Sequence, residues 1–415
     1  MYQKIVRERQ HVERLNNYPF VMIHGLGGWG EDTLAYRLAP YWGIRKERDI
    51  LPVARELGFE VYAPSVGPVN SIWDRACELW AQLVGGTVDY GKVHSEKFGH
   101  ERYGNTYDTP LIPDWGQLDE EGKRKKINVV GHSFGGPTTR AFIEILAEGS
   151  KEEQEGTPAE ELSEFFKGGK ASWVHTCTEL ACCNGVTLAT MVDNNKKVLN
   201  AFVYTIAIAL GLIGETPIVK FVDFKMPQWH ITPPEYKGGL KGAKIWIGRE
   251  KLKALATYPK NIEDNIAWEL GVKTCYRMTK DYSPKSNIYY FSYAADTTEE
   301  VPGTEFRQSI PGTNPFMGLF GNMEGKYLYP EDGIDDPSWY ASDGMVNLRS
   351  ARHPEGEPFK VYDGEESIEP GIWMEMPIEQ KHHMSYMGLG ETTGTYHIFF
   401  FDFMKRACNL PAIEE

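Results

Sequence analysis

Residues 131–135 read Gly-His-Ser-Phe-Gly, a G-x-S-x-G set between the β-rich run "KINVV" and the helical run "GPTTRAFIEILAEG". A serine on a sharp strand-to-helix turn projects its Oγ clear of the sheet, and flanking glycines relieve the crowding that so tight a turn imposes. The helix that follows places N–H groups where an oxyanion would form. The chemistry implied is nucleophilic attack by Ser133. Such a serine needs a base and an orienting acid, in chain order Ser, Asp, His for this kind of turn. Asp343 in "YASDGMVNL" and the pair His382 and His383 in "EQKHHMSYMG" meet that order, with Asp335 and Asp336 in "GIDDPSW" as competing acids. The residues alone leave the choice open, since Asp-Gly is a common turn. A second set lies in "VHSEKFGH" (93–100), where His94 and His100 stand six apart in a chain of 11 histidines. Imidazoles are metal donors, yet this spacing fits no familiar zinc motif.

What must position these groups is an alternation of strands and helices, the pattern of a mostly parallel, doubly wound α/β sheet. "YPFVMIHG" (18–25) is a short apolar run ending in a glycine loop, and "GFEVYAP" (58–64) alternates like a strand. "NSIWDRACELWAQLVGG" (70–86) carries Ile72, Trp73, Ala76, Leu79, Trp80 and Leu83 at helical spacing, with Asn70 and Ser71 as candidate caps. Further strands are expected at "NIYYFSYAAD" (287–296) and "FKVYDG" (359–364). The charged, glycine-bearing stretch 149–169 reads as a surface loop.

The 415 residues, 41% hydrophobic and without a break in composition, suit a single large domain. A net charge of −14 argues against nucleic acid or an anionic membrane as the main partner. The six cysteines include the adjacent Cys182 and Cys183 but no CxxC, so neither a disulfide framework nor a thiolate metal site is indicated. The opening "MYQKIVRERQHVERLNN" is charged and lacks an apolar core, so no signal peptide is read in the chain as given. Residues 198–214, "VLNAFVYTIAIALGLIG", carry no charge, yet they fall short of the roughly 20 apolar residues that a membrane span needs. A helix that is buried, or exposed only at times, is expected there, and no transmembrane segment.

Together "HGLGGWG", "WDRACELWAQLVGGTVDYGKVHSEKFGHERYG", "GHSFGG", "GIDDPSWYASDGMVN" and "YDG…GIW" resemble the zinc-containing secreted lipases of Gram-positive bacteria, the thermoalkalophilic and staphylococcal types. The likeness runs from about residue 18 to about residue 405, and the block at 70–104 is its most specific part. It implies an α/β-hydrolase fold with a catalytic triad on Ser133, Asp343 and His383. The oxyanion donors it implies are the backbone N–H groups of Leu26 and Phe134. It also implies one structural zinc ion held by Asp74, His94, His100 and Asp264. Two imidazoles and two carboxylates would make a closed four-ligand set with no open position for a substrate water.

On this reading residues 1–17 are an extension and 18–415 a single hydrolase domain. It contains a zinc-site insertion at about 70–104 and a helical lid at about 193–225, where the uncharged helix falls. The lid would show its apolar face to the cleft when shut and to a lipid–water interface when open. The resemblance implies a secreted enzyme that hydrolyses acylglycerol esters. A broader carboxylesterase or polyester hydrolase would use the same residues, and a silent hydrolase-fold binding protein would be expected to have lost one of them. Departures from the family are plain. Ser385, Gly390 and Glu391 stand where it places calcium ligands, so calcium is not expected. Gly131 replaces an alanine, and "ELACCNG" (179–185) replaces a Thr-Pro-His stretch along the pocket wall.

Overall fold

In strand β1 (Phe20–Ile23), Phe20 and Met22 face one layer of the core while Val21 and Ile23 face the other, and all four are buried. Strands covered on both faces lack the polar alternation of an exposed sheet. The computed structural model describes residues 14–184, 225, 228, 240, 263–270, 280, 282–326 and 336–413. Among them, β1 joins β2 (Val61–Tyr62), β5 (Ile127–His132), β6 (Val174–Leu180), β7 (Tyr289–Tyr293), β10 (Phe359–Val361) and β11 (Trp373–Glu375) in a seven-stranded sheet. Its order is β10-β11-β7-β6-β5-β1-β2, with every pair parallel. Two hairpins stand apart from it, β3 (Gly86–Asp89) with β4 (Tyr103–Tyr107), and β8 (Thr298–Glu300) with β9 (Arg307–Ser309).

The expected helix is present as α1 (Ile72–Val84), and of the two candidate caps Ser71 is the one used, its side chain accepting from the Asp74 N–H. Asn70 donates instead to Glu78 Oε1 at 3.2 Å. Helix α1 puts Ala76, Leu79 and Leu83 against one face of the sheet, beside Phe142 and Leu146 of helix α3 (Gly135–Glu148). Helix α5 (Thr393–Cys408) covers the other face with Phe400, Phe403 and Met404. Between α1 and α3 runs the short helix α2 (Lys92–Phe98), so the histidine-bearing stretch is partly helical.

The stretch 149–169 is not a surface loop. Helix α4 (Lys151–Gly156) is capped by Ser150, whose side chain accepts from the Glu153 N–H. Phe165 and Phe166 are each 1% exposed. A six-residue helix is too short to display a periodic apolar stripe, and "KEEQEG" reads as solvated although Glu153 is turned inward. The expected lid at 193–225 lies outside the described residues except for Lys225.

Candidate active site and metal cluster

Strand order places β1 beside β5, while the chain leaves β1 toward β2 and leaves β5 toward β6. The loops at their carboxyl ends therefore diverge and open a crevice, the usual place for a ligand in an open parallel sheet. Leu26 follows β1 and Ser133 follows β5, so both stand at that crevice. Ser133 has φ +57°, a left-handed conformation rare outside glycine. The glycines around it are closely packed. A Cβ on Gly131 would lie 2.5 Å from the Gly135 carbonyl carbon, and one on Gly135 would lie 2.3 Å from Ile23 O. The N–H groups of Leu26 and Phe134 have no hydrogen-bond partner among the described residues.

Of the candidate acids and bases, Asp343 and His383 are in contact. His383 Nδ1 lies 2.8 Å from Asp343 Oδ2, and the His383 N–H donates to Asp343 O at 3.0 Å. Asp343 Oδ1 accepts from the N–H groups of Met345 and Val346 at 2.9 and 2.8 Å. With the carboxylate accepting on both oxygens, Nδ1 carries the ring proton and Nε2 keeps its lone pair. Asp343 and His383 are buried, and the His383 ring centroid is 4.8 Å from that of His132, next to Ser133 in sequence. No hydrogen bond joins Ser133 Oγ to His383 among the described residues, and catalytic contacts of this kind tighten in the reacting complex. His382 is also buried, and its Nδ1 has no partner. Asp336 caps the turn at Pro337–Trp339 through the Ser338 N–H. Asp335 lies outside the described residues.

Asp74, His94, His100 and Asp264 converge as expected, their candidate ligand atoms all within 4.8 Å of one another. His94 Nε2 is 2.9 Å from Asp264 Oδ2 and 3.6 Å from Asp74 Oδ1, and His100 Nε2 is 3.4 Å from Asp264 Oδ2. His100 Nδ1 donates to Glu101 O at 2.8 Å, which aims its other nitrogen into the cluster. Burial opposes a charge on His94, yet Asp264 and Asp74 together push it up to about 9. Two nearly inaccessible carboxylates thus demand positive charge, and Asp74 Oδ1 has no hydrogen-bond donor. A divalent cation fits that demand better than a proton, and the mixed nitrogen and oxygen donors suit a borderline metal.

Residues no local pattern revealed hold this cluster in place. Glu153 of α4 accepts from the N–H groups of His94 and Val93 at 2.8 and 3.2 Å, capping α2. Gln228 Nε2 donates to Asp74 Oδ2 at 2.5 Å. The Trp73 ring stacks on His94 at 4.9 Å and on Phe166 at 5.2 Å. Arg75, wholly buried, donates to Gly67 O at 3.0 Å, to Thr138 Oγ1 at 2.9 Å and to His24 O, which steadies the loop carrying Leu26. The five described cysteines are buried. Cys182 Sγ donates to Gly131 O at 3.2 Å, so the altered wall packs directly behind the turn.

The family model described as "Lipase-like, C-terminal domain" matches residues 16–397. Lipase 2 of Staphylococcus aureus strain MRSA252 is 30% identical over 410 residues, covering 96% of this chain and 53% of that protein. The chain thus spans about half the length of the curated relatives it matches. Staphylococcus hyicus lipase superposes with a TM-score of 0.75 at 28% identity, over 94% of this chain and 96% of that one. Lipase 1 from Pelosinus fermentans gives 0.73 at 32% identity, over 94% and 99%. Among the described residues no helix is long and apolar enough to cross a membrane.

Proposed function

The chain belongs to the lipase-like family whose model spans residues 16–397, and on that premise we propose that it is a serine ester hydrolase acting on acylglycerols. Ser133 Oγ attacks the ester carbonyl as His383 Nε2 takes its proton. Asp343 holds the imidazole tautomer and stabilises the imidazolium that forms. The Leu26 and Phe134 N–H groups receive the oxyanion. His383 then returns the proton to the leaving alcohol, and a water molecule repeats the cycle on the acyl-enzyme. The 2.8 Å contact between His383 and Asp343, beside a left-handed serine at the crevice, carries this reading.

In the metal cluster Asp74, His94, His100 and Asp264 would hold one zinc ion, which would cross-link α1 and α2 to the segment bearing Asp264 and would take no part in the ester chemistry. The lid at about 193–225, the lipid–water interface as working surface and an extracellular location belong to the same proposal, on the family resemblance. The decisive test is hydrolysis of a triacylglycerol by the parent and by Ser133→Ala, with a fluorophosphonate probe applied to both. Loss of turnover together with loss of labelling supports the reading, and an active Ser133→Ala refutes it.

A further inference from the structure

Behind the triad lies a chain of hydrogen bonds that the ester mechanism does not invoke. The Gly25 N–H donates to Tyr41 Oη at 2.8 Å. Tyr41 Oη lies 2.7 Å from His132 Nδ1, and His132 Nε2 lies 3.3 Å from His383 O. Tyr41, His132 and His383 are 3%, 1% and 2% exposed, so water does not compete for these atoms. Each proton has one arrangement that satisfies the chain. Tyr41 accepts from Gly25, and its own hydroxyl proton is left for His132 Nδ1. Burial, with His383 close by, holds His132 well below the usual imidazole range, so it is neutral and carries a single proton. With Nδ1 accepting, that proton sits on Nε2 and points at the His383 carbonyl.

The ends of this chain are two working parts of the proposed mechanism. Gly25 immediately precedes Leu26, the first oxyanion donor. The His383 backbone is held at its N–H by Asp343 O and at its carbonyl by His132. Resting on the proposed ester-hydrolase reading, we propose that Tyr41 and His132 are positioning residues. Through one directed chain of hydrogen bonds they set the oxyanion loop and the catalytic histidine in a common register. His132 fills the variable second position of the G-x-S-x-G turn, so the strained backbone that projects Ser133 also fixes the hub. Tyr41 is locked from the far side by rings, Trp29 at 5.7 Å and Trp42 at 5.2 Å, both edge-on. Replacing its hydroxyl alone should leave that packing intact.

The experiment uses the full chain, a soluble short-chain ester and three variants. Tyr41→Phe removes the hydroxyl. In His132→Asn the amide can replace Nδ1 toward Tyr41 but does not reach His383, and in His132→Gln it can replace Nε2 toward His383 but not Nδ1. Misplaced oxyanion and base geometry costs turnover rather than ground-state binding, so Tyr41→Phe should lower kcat by about 10- to 100-fold with KM within about twofold. The acid limb of the kcat/KM profile should move in His132→Asn and stay near the parent's in His132→Gln. Nitrogen NMR of histidine-labelled parent protein gives a readout independent of any variant's folding: His132 should be the neutral Nε2–H tautomer throughout about pH 5 to 9. A titrating His132, the Nδ1–H tautomer, or kcat within twofold of the parent in all three variants overturns the inference. Ser133→Ala separates the two claims. If it stays active the ester-hydrolase reading fails, and if it is dead while Tyr41→Phe and both His132 variants keep kcat within twofold of the parent, only the positioning role fails.

Discussion

Removing the His94 side chain tests the metal cluster most directly. The ring stands between two carboxylates, 2.9 Å from Asp264 and 3.6 Å from Asp74, which are 3% and 0% exposed. Their charge cannot be passed to water. Breaking one member of such a buried ionic set costs about 3–5 kcal/mol, because the remaining charges are left uncompensated. The lost stacking on Trp73 adds a smaller amount. For 415 residues the unfolding entropy is on the order of 0.9 kcal/mol per degree, so the melting temperature of His94→Ala should fall by about 4–6 °C. A chelator should lower the parent's melting point in the same direction and the variant's hardly at all. Metal analysis by mass spectrometry on protein never exposed to chelator should find about one zinc per chain, and added calcium should shift the melting temperature little. Turnover of a soluble ester by chelated protein should persist until the temperature at which it unfolds. Protein with no bound metal, or a melting point indifferent to both chelator and His94→Ala, refutes the cluster's role. A stoichiometric cation other than zinc refutes only the identity of the ion.

Ser133→Ala and His383→Ala should each reduce kcat by on the order of 10⁴-fold or more, while His382→Ala leaves most activity. Full loss from His382→Ala beside an active His383→Ala would reverse the assignment. Glu324, at the end of the helix Pro315–Glu324, is 1% exposed, and burial, aided by the Asp343 charge and opposed by the Ser342 side chain, pushes its carboxyl up to about 8 from 4.5. The folded state then binds more protons than the unfolded between those values, so this residue withdraws stability as pH rises from about 4.5 to about 8. Glu324→Gln should accordingly match the parent near pH 5 and exceed it by a few kcal/mol near pH 9, and equal differences in chemical denaturation at the two pH values refute this. For the proposed lid, replacing Phe202, Ile206 and Leu210 by Ser should flatten the rise in rate when a short-chain triacylglycerol passes its solubility limit. A parent rate that stays hyperbolic through that limit removes the lid from consideration.

The parts of the molecule legible in the sequence are those whose cause is local. Strand β1 could be read from four apolar residues before a glycine loop, α1 from its stripe, and the Ser133 turn from the glycines packed closely around it. The choice between His382 and His383 was not local, since neighbouring residues of one loop share every sequence property. The resemblance favoured His383, and the described structure puts that residue 2.8 Å from Asp343. The metal set spans Asp74 to Asp264, too far for any spacing rule, and was reached through resemblance alone. Glu153 and Gln228 escaped both routes, because an inward-facing carboxylate or amide in a polar stretch looks like its solvated neighbours.

The proposed metal set and the proposed oxyanion loop meet on two consecutive residues. Successive side chains of an α-helix diverge by about 100°, so adjacent positions of a buried helix serve different neighbours. In α1 this sends Asp74 to the histidine cluster and Arg75 to the His24 and Gly67 carbonyls. Burial lowers the Arg75 guanidinium only to about 10, with Glu78 sustaining its charge, so at neutral pH it remains a cation. Its hydrogen bonds are therefore charge-assisted and strong, and two of them reach the His24 and Gly67 carbonyl oxygens beside the turn after β1. A helix anchored by ionic contacts on one side and by a guanidinium on the other cannot rotate without breaking one set. The N–H of Leu26 is thereby fixed from α1 through Arg75, as it is from β5 through His132 and Tyr41.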